Sequence, residues 1–182
     1  MKYLLMSDLH GSALALERLL EIYEREHCDG LICLGDLLYH GPRNPLPEGY
    51  GPKKVVELLF PYKKNLIWIQ GNCDAEVDEM VLGISFHKKK TLHFGKRLLL
   101  LTHGHHLSST CPSSRLKPNT IVLYGHFHRH EKKIIEGVTY LNLGSPSLPK
   151  DGIPQYGLLT DEGIFIYDLD NYSLLENELW RK

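Results

Sequence analysis

The chain has 182 residues, 42% apolar and 24% charged, with a formal net charge of −1 and four cysteines. That length suits a single domain over residues 1–182, able to bury about two thirds of its unfolded surface without a disulfide scaffold. The near-neutral charge leaves no basic footprint for nucleic acid or an anionic membrane, and no apolar stretch approaches the ~20 residues of a membrane span.

Residues 2–6 form a short apolar run, too short for a signal-peptide core, so a cytoplasmic location is expected. Residues 13–25 carry Leu14, Leu16, Leu19, Leu20 and Tyr23 at helical spacing. Residues 31–34 are a second apolar run, and 52–60 read as a helix with proline at its start. Residues 66–69 are a third run, followed by a helical segment at 75–82. This β-α-β-α-β-α order predicts a mostly parallel sheet with helical crossovers. The second half is strand-rich. Residues 90–94 and 97–102 flank a Gly95-Lys96 turn, and strands follow at 120–124, 138–142, 156–160 and 164–168, with 172–180 closing the sheet. Two packed mixed sheets with helices outside fit this balance; a single sheet is the alternative.

None of Cys28, Cys33, Cys73 and Cys111 forms a CxxC pair, so a thiolate zinc site is not expected. Cys28 and Cys33, in or beside a strand, read as buried free thiols.

Five apolar runs end in metal-binding groups. KYLLMSDLH delivers Asp8 and His10, LICLGD delivers Asp36, and LIWIQGNCD delivers Asn72, Cys73 and Asp74. RLLLLTHGHH delivers His103, His105 and His106, and IVLYGHFHRH delivers His126, His128 and His130. In open α/β sheets ligands gather beyond the carboxyl ends of parallel strands. An extended chain places i and i+2 on one side, which would aim Asp8 with His10 and His126 with His128. One Asp or His after a strand is commonly a helix cap or loop residue; five such junctions in order are hard to dismiss. Carboxylate, amide and imidazole donors suit manganese, iron or zinc. There are enough for two ions, with the two oxygens of Asp36 as a bridge. Two divalent ions, Asp8, Asp36 and a bridging hydroxide leave roughly one positive charge, which attracts a phosphoryl group for in-line attack. Neutral Asn72 preserves that charge. Arg43, in the 41–52 loop that is long enough to overhang the site, could pair bidentately with phosphate. Lys88 to Lys90 read as a solvated face.

The ordered blocks Asp8-Leu9-His10, Gly35-Asp36, Gly71-Asn72-Cys73-Asp74, His103 in THGH and Gly125-His126-Phe127-His128 resemble those of the calcineurin-like metallophosphoesterases. YHGPRNPLPEGYGPKKVVE, GNCDAEVD and NLGSPSLPK narrow the resemblance to the small YfcE-type bacterial phosphodiesterases. The resemblance implies a four-layer α/β/β/α sandwich of two mixed β-sheets with a dinuclear centre. Asp8, His10, Asp36 and His128 would hold one divalent ion; Asp36, Asn72, His103 and His126 would hold the other. Manganese is the first expectation, with iron, zinc, nickel or cobalt as alternatives. The expected reaction is phosphodiester hydrolysis of a small substrate by a metal-bridging hydroxide. His105 would touch substrate or support a ligand, and Asp74 would orient Asn72 or a ligand histidine. His130 falls outside the motif and is expected to be exposed or to support the site.

Many family members carry histidine where this chain, like the YfcE-type proteins, has Cys73. A neutral thiol is a poor substitute for imidazolium, so leaving-group assistance is expected to be weak. The proton could come from Cys73, His105 or water. A phosphomonoesterase with the same site is one rival. A non-catalytic scaffold is the other, since the retromer scaffold subunit resembles this family with ligands lost; here all seven ligand positions are filled. The strand-rich C-terminal part offers a surface for a homodimer or tetramer.

Overall fold

In the computed structural model, which describes residues 1–94 and 97–180, strand β1 (Tyr3–Met6) sends alternate side chains to opposite faces. Leu4 and Met6 enter one apolar cluster and Leu5 another. Strand β2 (Gly30–Cys33) repeats the division, with Leu31 and Cys33 on the first side and Ile32 on the second. Strands covered on both faces read as continuous apolar runs, which is why these two show no polar alternation.

Three helices cover the first side. Ser12 caps α1 (Ala13–Arg25) by accepting the Ala15 N–H at 3.1 Å. Helix α2 (Pro52–Leu59) opens on proline, whose missing N–H costs nothing there. Helix α3 (Glu76–Leu82) stops at Gly83. Leu16, Leu19, Val55, Leu59 and Leu82 pack into the cluster of Leu4 and Met6. Each such side chain contributes about 1.5–3 kcal/mol on burial.

The remaining strands are β3 (Leu66–Trp68), β4 (Lys90–Phe94), β5 (Arg97–Leu101), β6 (Thr120–Tyr124), β7 (His130–Ile135), β8 (Val138–Leu143), β9 (Gln155–Leu159), β10 (Gly163–Asp168) and β11 (Leu174–Leu179). They form a six-stranded sheet, β11-β10-β9-β1-β2-β3, and a five-stranded sheet, β4-β5-β6-β8-β7. In the first, β1, β2 and β3 are parallel and β9 runs antiparallel to β1. In the second, β5, β6 and β8 are parallel, with β4 and β7 antiparallel at the edges. The sheets pack through Leu5, Ile32, Leu99, Ile121, Leu141 and Ile164. The architecture is therefore α/β with two mixed sheets, and the single-sheet alternative falls.

The outer face of the second sheet buries Leu100, Val122, Tyr124, Val138 and Tyr140 under Leu107 and Leu116. Its cover, residues 104–119, is built of turns. The expected Gly95-Lys96 turn lies outside the described residues. Strand β7 was not anticipated. Its sequence, HEKKII, is largely polar because it is an edge strand paired only with β8. Charged edges are how sheets avoid further pairing.

Candidate metal centre

The carboxyl ends of β1, β2, β3, β5 and β6 all lead into one rim. The Asp8 N–H donates to the Gly35 carbonyl and the His10 N–H to the Asp36 carbonyl, each at 2.9 Å. The expectation of extended i, i+2 pairs is corrected here. Asp8 (φ 54°), His10 (φ 51°), Asp36 (φ 55°), His126 (φ 70°) and His128 (φ 57°) all adopt left-handed backbone. Asp and His are among the residues that tolerate this region, at about 1–3 kcal/mol each. The loops also approach closely. A Cβ on Gly125 would strike Ser7 Oγ and Asp8 Oδ2, and one on Gly71 would strike the Asp36 carboxylate.

Asp8 is fully buried. Its Oδ2 accepts from Ser7 Oγ and from the His126 N–H, both at 2.7 Å. Its Oδ1 has no hydrogen-bond partner among the described residues. That oxygen faces the Nε2 atoms of His128 at 3.4 Å, His10 at 3.8 Å and His103 at 3.9 Å. Burial would raise the Asp8 carboxyl, but the imidazoles, His103 foremost, outweigh it and hold it well below the carboxylate range.

The tautomers follow from the backbone. Nδ1 of His10 donates to the Tyr39 carbonyl at 2.8 Å, Nδ1 of His103 to Leu34 at 2.8 Å, and Nδ1 of His128 to Leu148 at 2.9 Å. With Nδ1 so committed, it is Nε2 of each ring that faces inward, and losing the Nε2 proton leaves a lone pair for a cation. Without one, burial would lower His103, but Asp36 and Asp8 outweigh it and raise the ring to about 9. The Leu148 carbonyl is held in place by the loop after β8, where Ser145 Oγ accepts the Leu148 N–H at 2.9 Å and donates to the Asp8 carbonyl at 2.8 Å.

Asp36 Oδ1 accepts the Cys73 N–H at 2.8 Å, while Oδ2 lies 3.4 Å from His103 Nε2 and 3.7 Å from His10 Nε2. Asn72 Oδ1 lies 3.1 Å from His103 Nε2. Asp74 faces away from this cluster. Its carboxylate accepts the N–H groups of Asp36 at 2.9 Å, Leu37 at 2.9 Å and Gly71 at 2.7 Å, tying two rim loops together. Burial pushes its carboxyl up to about 6, against the pull of those amides.

Tight donor groups form from Asp8, His10 and His128, and from Asp8, Asp36 and His103, with donor atoms within 4.8 Å of one another. A third joins His10 and Asp36 to the Cys73 sulfur. The sequence pattern offers no obvious thiolate donor; the fold brings this sulfur close to the ligands. Burial first, then Asp36, pushes the Cys73 thiol up to about 12. The His126 ring lies beside the centre, 5.1 Å from the His103 ring and 6.0 Å from the His105 ring, outside the tight groups. His105 is exposed, and its ring centre is 5.4 Å from that of His103. His130 pairs with Asp151 at 3.2 Å, away from the centre.

Above these groups lies a cavity of about 600 Å³ whose lining includes Asp36, Tyr39, Arg43, Cys73, Phe127 and Lys150. Arg43 is exposed and has no ion-pair partner among the described residues. Lys150 was missed from sequence. It closes the NLGSPSLPK segment, where no strand-end pattern marks it.

The donor set fits divalent cations. A buried carboxylate oxygen with no hydrogen bond, ringed by three imidazole Nε2 atoms, is an arrangement that a bound cation would satisfy.

Fold and donors together define a class. Residues 1–163 match the Calcineurin-like phosphoesterase superfamily domain, and the chain belongs to that superfamily of hydrolases acting on phosphoric ester bonds. It is 39% identical over 177 residues to Phosphodiesterase YfcE of Escherichia coli (strain K12), covering 96% of each chain. The solved structure of YfcE, a phosphoesterase from E. coli, matches with a TM-score of 0.92 at 38% identity, over 98% of this chain and 99% of that one. Vacuolar Protein Sorting 29 from Cryptosporidium parvum shares the fold, with a TM-score of 0.65 at 20% identity over 100% of this chain and 98% of that one.

Proposed function

We propose that this chain is a metal-dependent phosphodiesterase with two divalent ions, manganese first among the candidates. Asp8, His10, Asp36 and His128 would hold one, and Asp36, Asn72, His103 and His126 the other. The observation that carries this reading is the buried, unpartnered Oδ1 of Asp8 facing three Nε2 atoms. When bound, such ions supply a hydroxide nucleophile at neutral pH and Lewis-acid stabilisation of the developing phosphoryl charge.

The chain's own residues orient and hold. Carbonyls of Leu34, Tyr39 and Leu148 keep the three imidazoles in the metal-binding tautomer. Asp74 fixes the loops that present Asp36 and Asn72. Arg43, free at the cavity wall, takes the phosphoryl oxygens. The leaving oxygen receives its proton from Cys73, His105 or water. The ester class is supported by the name of the E. coli relative, a phosphodiesterase. Free cysteines, Cys28 and Cys33 among them, fit a reducing cytoplasm, and no helix among the described residues is long and apolar enough to cross a membrane.

The test is metal analysis of the purified protein with aryl monoester and diester hydrolysis, before and after chelation and metal add-back, for wild type and Asp36→Asn. Diester turnover that follows the metal and is lost in the variant is expected. A protein that binds no divalent ion and cleaves neither ester would be a scaffold.

A further inference from the structure

Lysines without an ion pair are common on any surface. Lys150 differs in where it stands and in how its backbone is held. Its own N–H donates to the His128 carbonyl at 2.6 Å. On its far side, Asp151 accepts the His130 N–H at 3.1 Å and two contacts from Gln155 Nε2, at 2.8 and 2.9 Å. On its near side, Pro149 fixes φ and Leu148 is bound to Ser145 and His128. These contacts fix the backbone from which the Lys150 side chain, itself exposed, projects. The pinned lysine lines the same cavity as Arg43, from a different loop.

The charges do not cancel within the protein. Among the residues lining that cavity the only carboxylate is Asp36, and Asp36 belongs to the metal groups. Lys150 has no anionic partner among the described residues. One phosphoryl group facing the metal centre and Arg43 leaves this second cation uncompensated, with the rings of Tyr39 and Phe127 walling the space around it.

We propose that Lys150 recognises a second oxyanion of the substrate, a carboxylate or phosphate carried on one ester substituent, and so sets the substrate class as diesters with an additional negative charge. This rests on the phosphodiesterase reading of the site.

Binding of two non-hydrolysable probes to the manganese-loaded protein tests it by calorimetry: phenylphosphonate and 4-carboxyphenylphosphonate. The carboxylated probe should bind wild type about five-fold more tightly, the scale of one solvent-exposed ion pair. Lys150→Ala should abolish that advantage while leaving phenylphosphonate within two-fold. Lys150→Arg should keep it, as should the surface control Lys88→Ala, and unchanged melting would show that the variants fold. Equal affinity of both probes for wild type would overturn the proposal. So would a Lys150→Ala loss shared equally by both, which would mark a lysine that only attracts the phosphoryl group. Diester hydrolysis is read separately: a protein that binds the probes with the expected preference but cleaves no diester would fail the functional reading and keep the subsite. Failure of both probes to bind would end both.

Discussion

The Nε2 atoms of His10 and His128 stand 3.1 Å apart, while each ring donates its Nδ1 proton to a carbonyl, Tyr39 and Leu148 respectively. With both Nδ1 protons committed, a contact that short between the Nε2 atoms, with the Asp8 oxygen beside it, calls for a positive charge there, either a shared proton or a cation.

Metal should therefore stabilise the fold through Asp8. At a hundredfold excess over Kd a ligand adds about 2.7 kcal/mol, or roughly 5–10 °C in a chain of this size. Calorimetric scans with and without manganese should show that rise in wild type and little in Asp8→Asn. An equal rise in both would remove Asp8 from the centre.

Asp74 holds three buried amides, that of Asp36 among them, and is not itself among the metal-binding groups. Asp74→Ala should cost about 3 kcal/mol in urea denaturation, since unsatisfied buried donors cost ~1–3 kcal/mol each and partial relaxation is expected. Manganese affinity should fall by about 10- to 100-fold, as for other residues that orient ligands. Unchanged stability would show that the loops hold without it.

In the proposed reaction Cys73 takes the place at which the family resemblance expects an imidazole to assist the leaving oxygen. General acids contribute about 10²–10⁴-fold, so Cys73→His should raise turnover of alkyl diesters relative to aryl diesters by at least about tenfold. Aryl leaving groups need no such help. A constant ratio between the two esters would place the proton source elsewhere.

Asp151 supplies a test by pH. Burial raises its carboxyl, but hydrogen bonds from Gln155, Ile153 and His130 prevail and its pKa is lowered. A depressed folded value means the contribution is complete above the unfolded carboxylate pKa and is lost as pH falls through the folded one. Asp151→Asn should be less stable than wild type at pH 7 by up to about 1 kcal/mol after solvent screening, and by less at an acid pH below the unfolded carboxylate value. Urea melts at both values would show it; a gap that persists in acid would mean the amide fails for reasons of shape.

Much of the rim is legible in the sequence because a parallel strand buried on both faces must be apolar, so the ionisable residues just after it stand out. Asp8, Asp36, His103 and His126 are found that way. The geometry behind them is not legible. The pairs Asp8/His10 and His126/His128 were read as extended, yet all four are left-handed, and His126 lies beside His103 rather than with His128. Asp and His reach that conformation without any sequence mark. Strand β7 hides because its exposure makes it polar. Lys150, Ser145 and Ser147 hide because their roles come from the far end of the chain folding back, a tertiary contact that no local pattern carries.

That return has a consequence in time. Ser145 Oγ bonds the Asp8 carbonyl across 137 positions of sequence, and Ser147 Oγ bonds the Leu9 carbonyl across 138. At about 5–20 residues per second, the first aspartate leaves the ribosome on the order of ten seconds before the serines that brace it. A nascent chain would hold only part of the rim through that interval, and in the proposed centre capture of a cation would wait until synthesis is nearly finished.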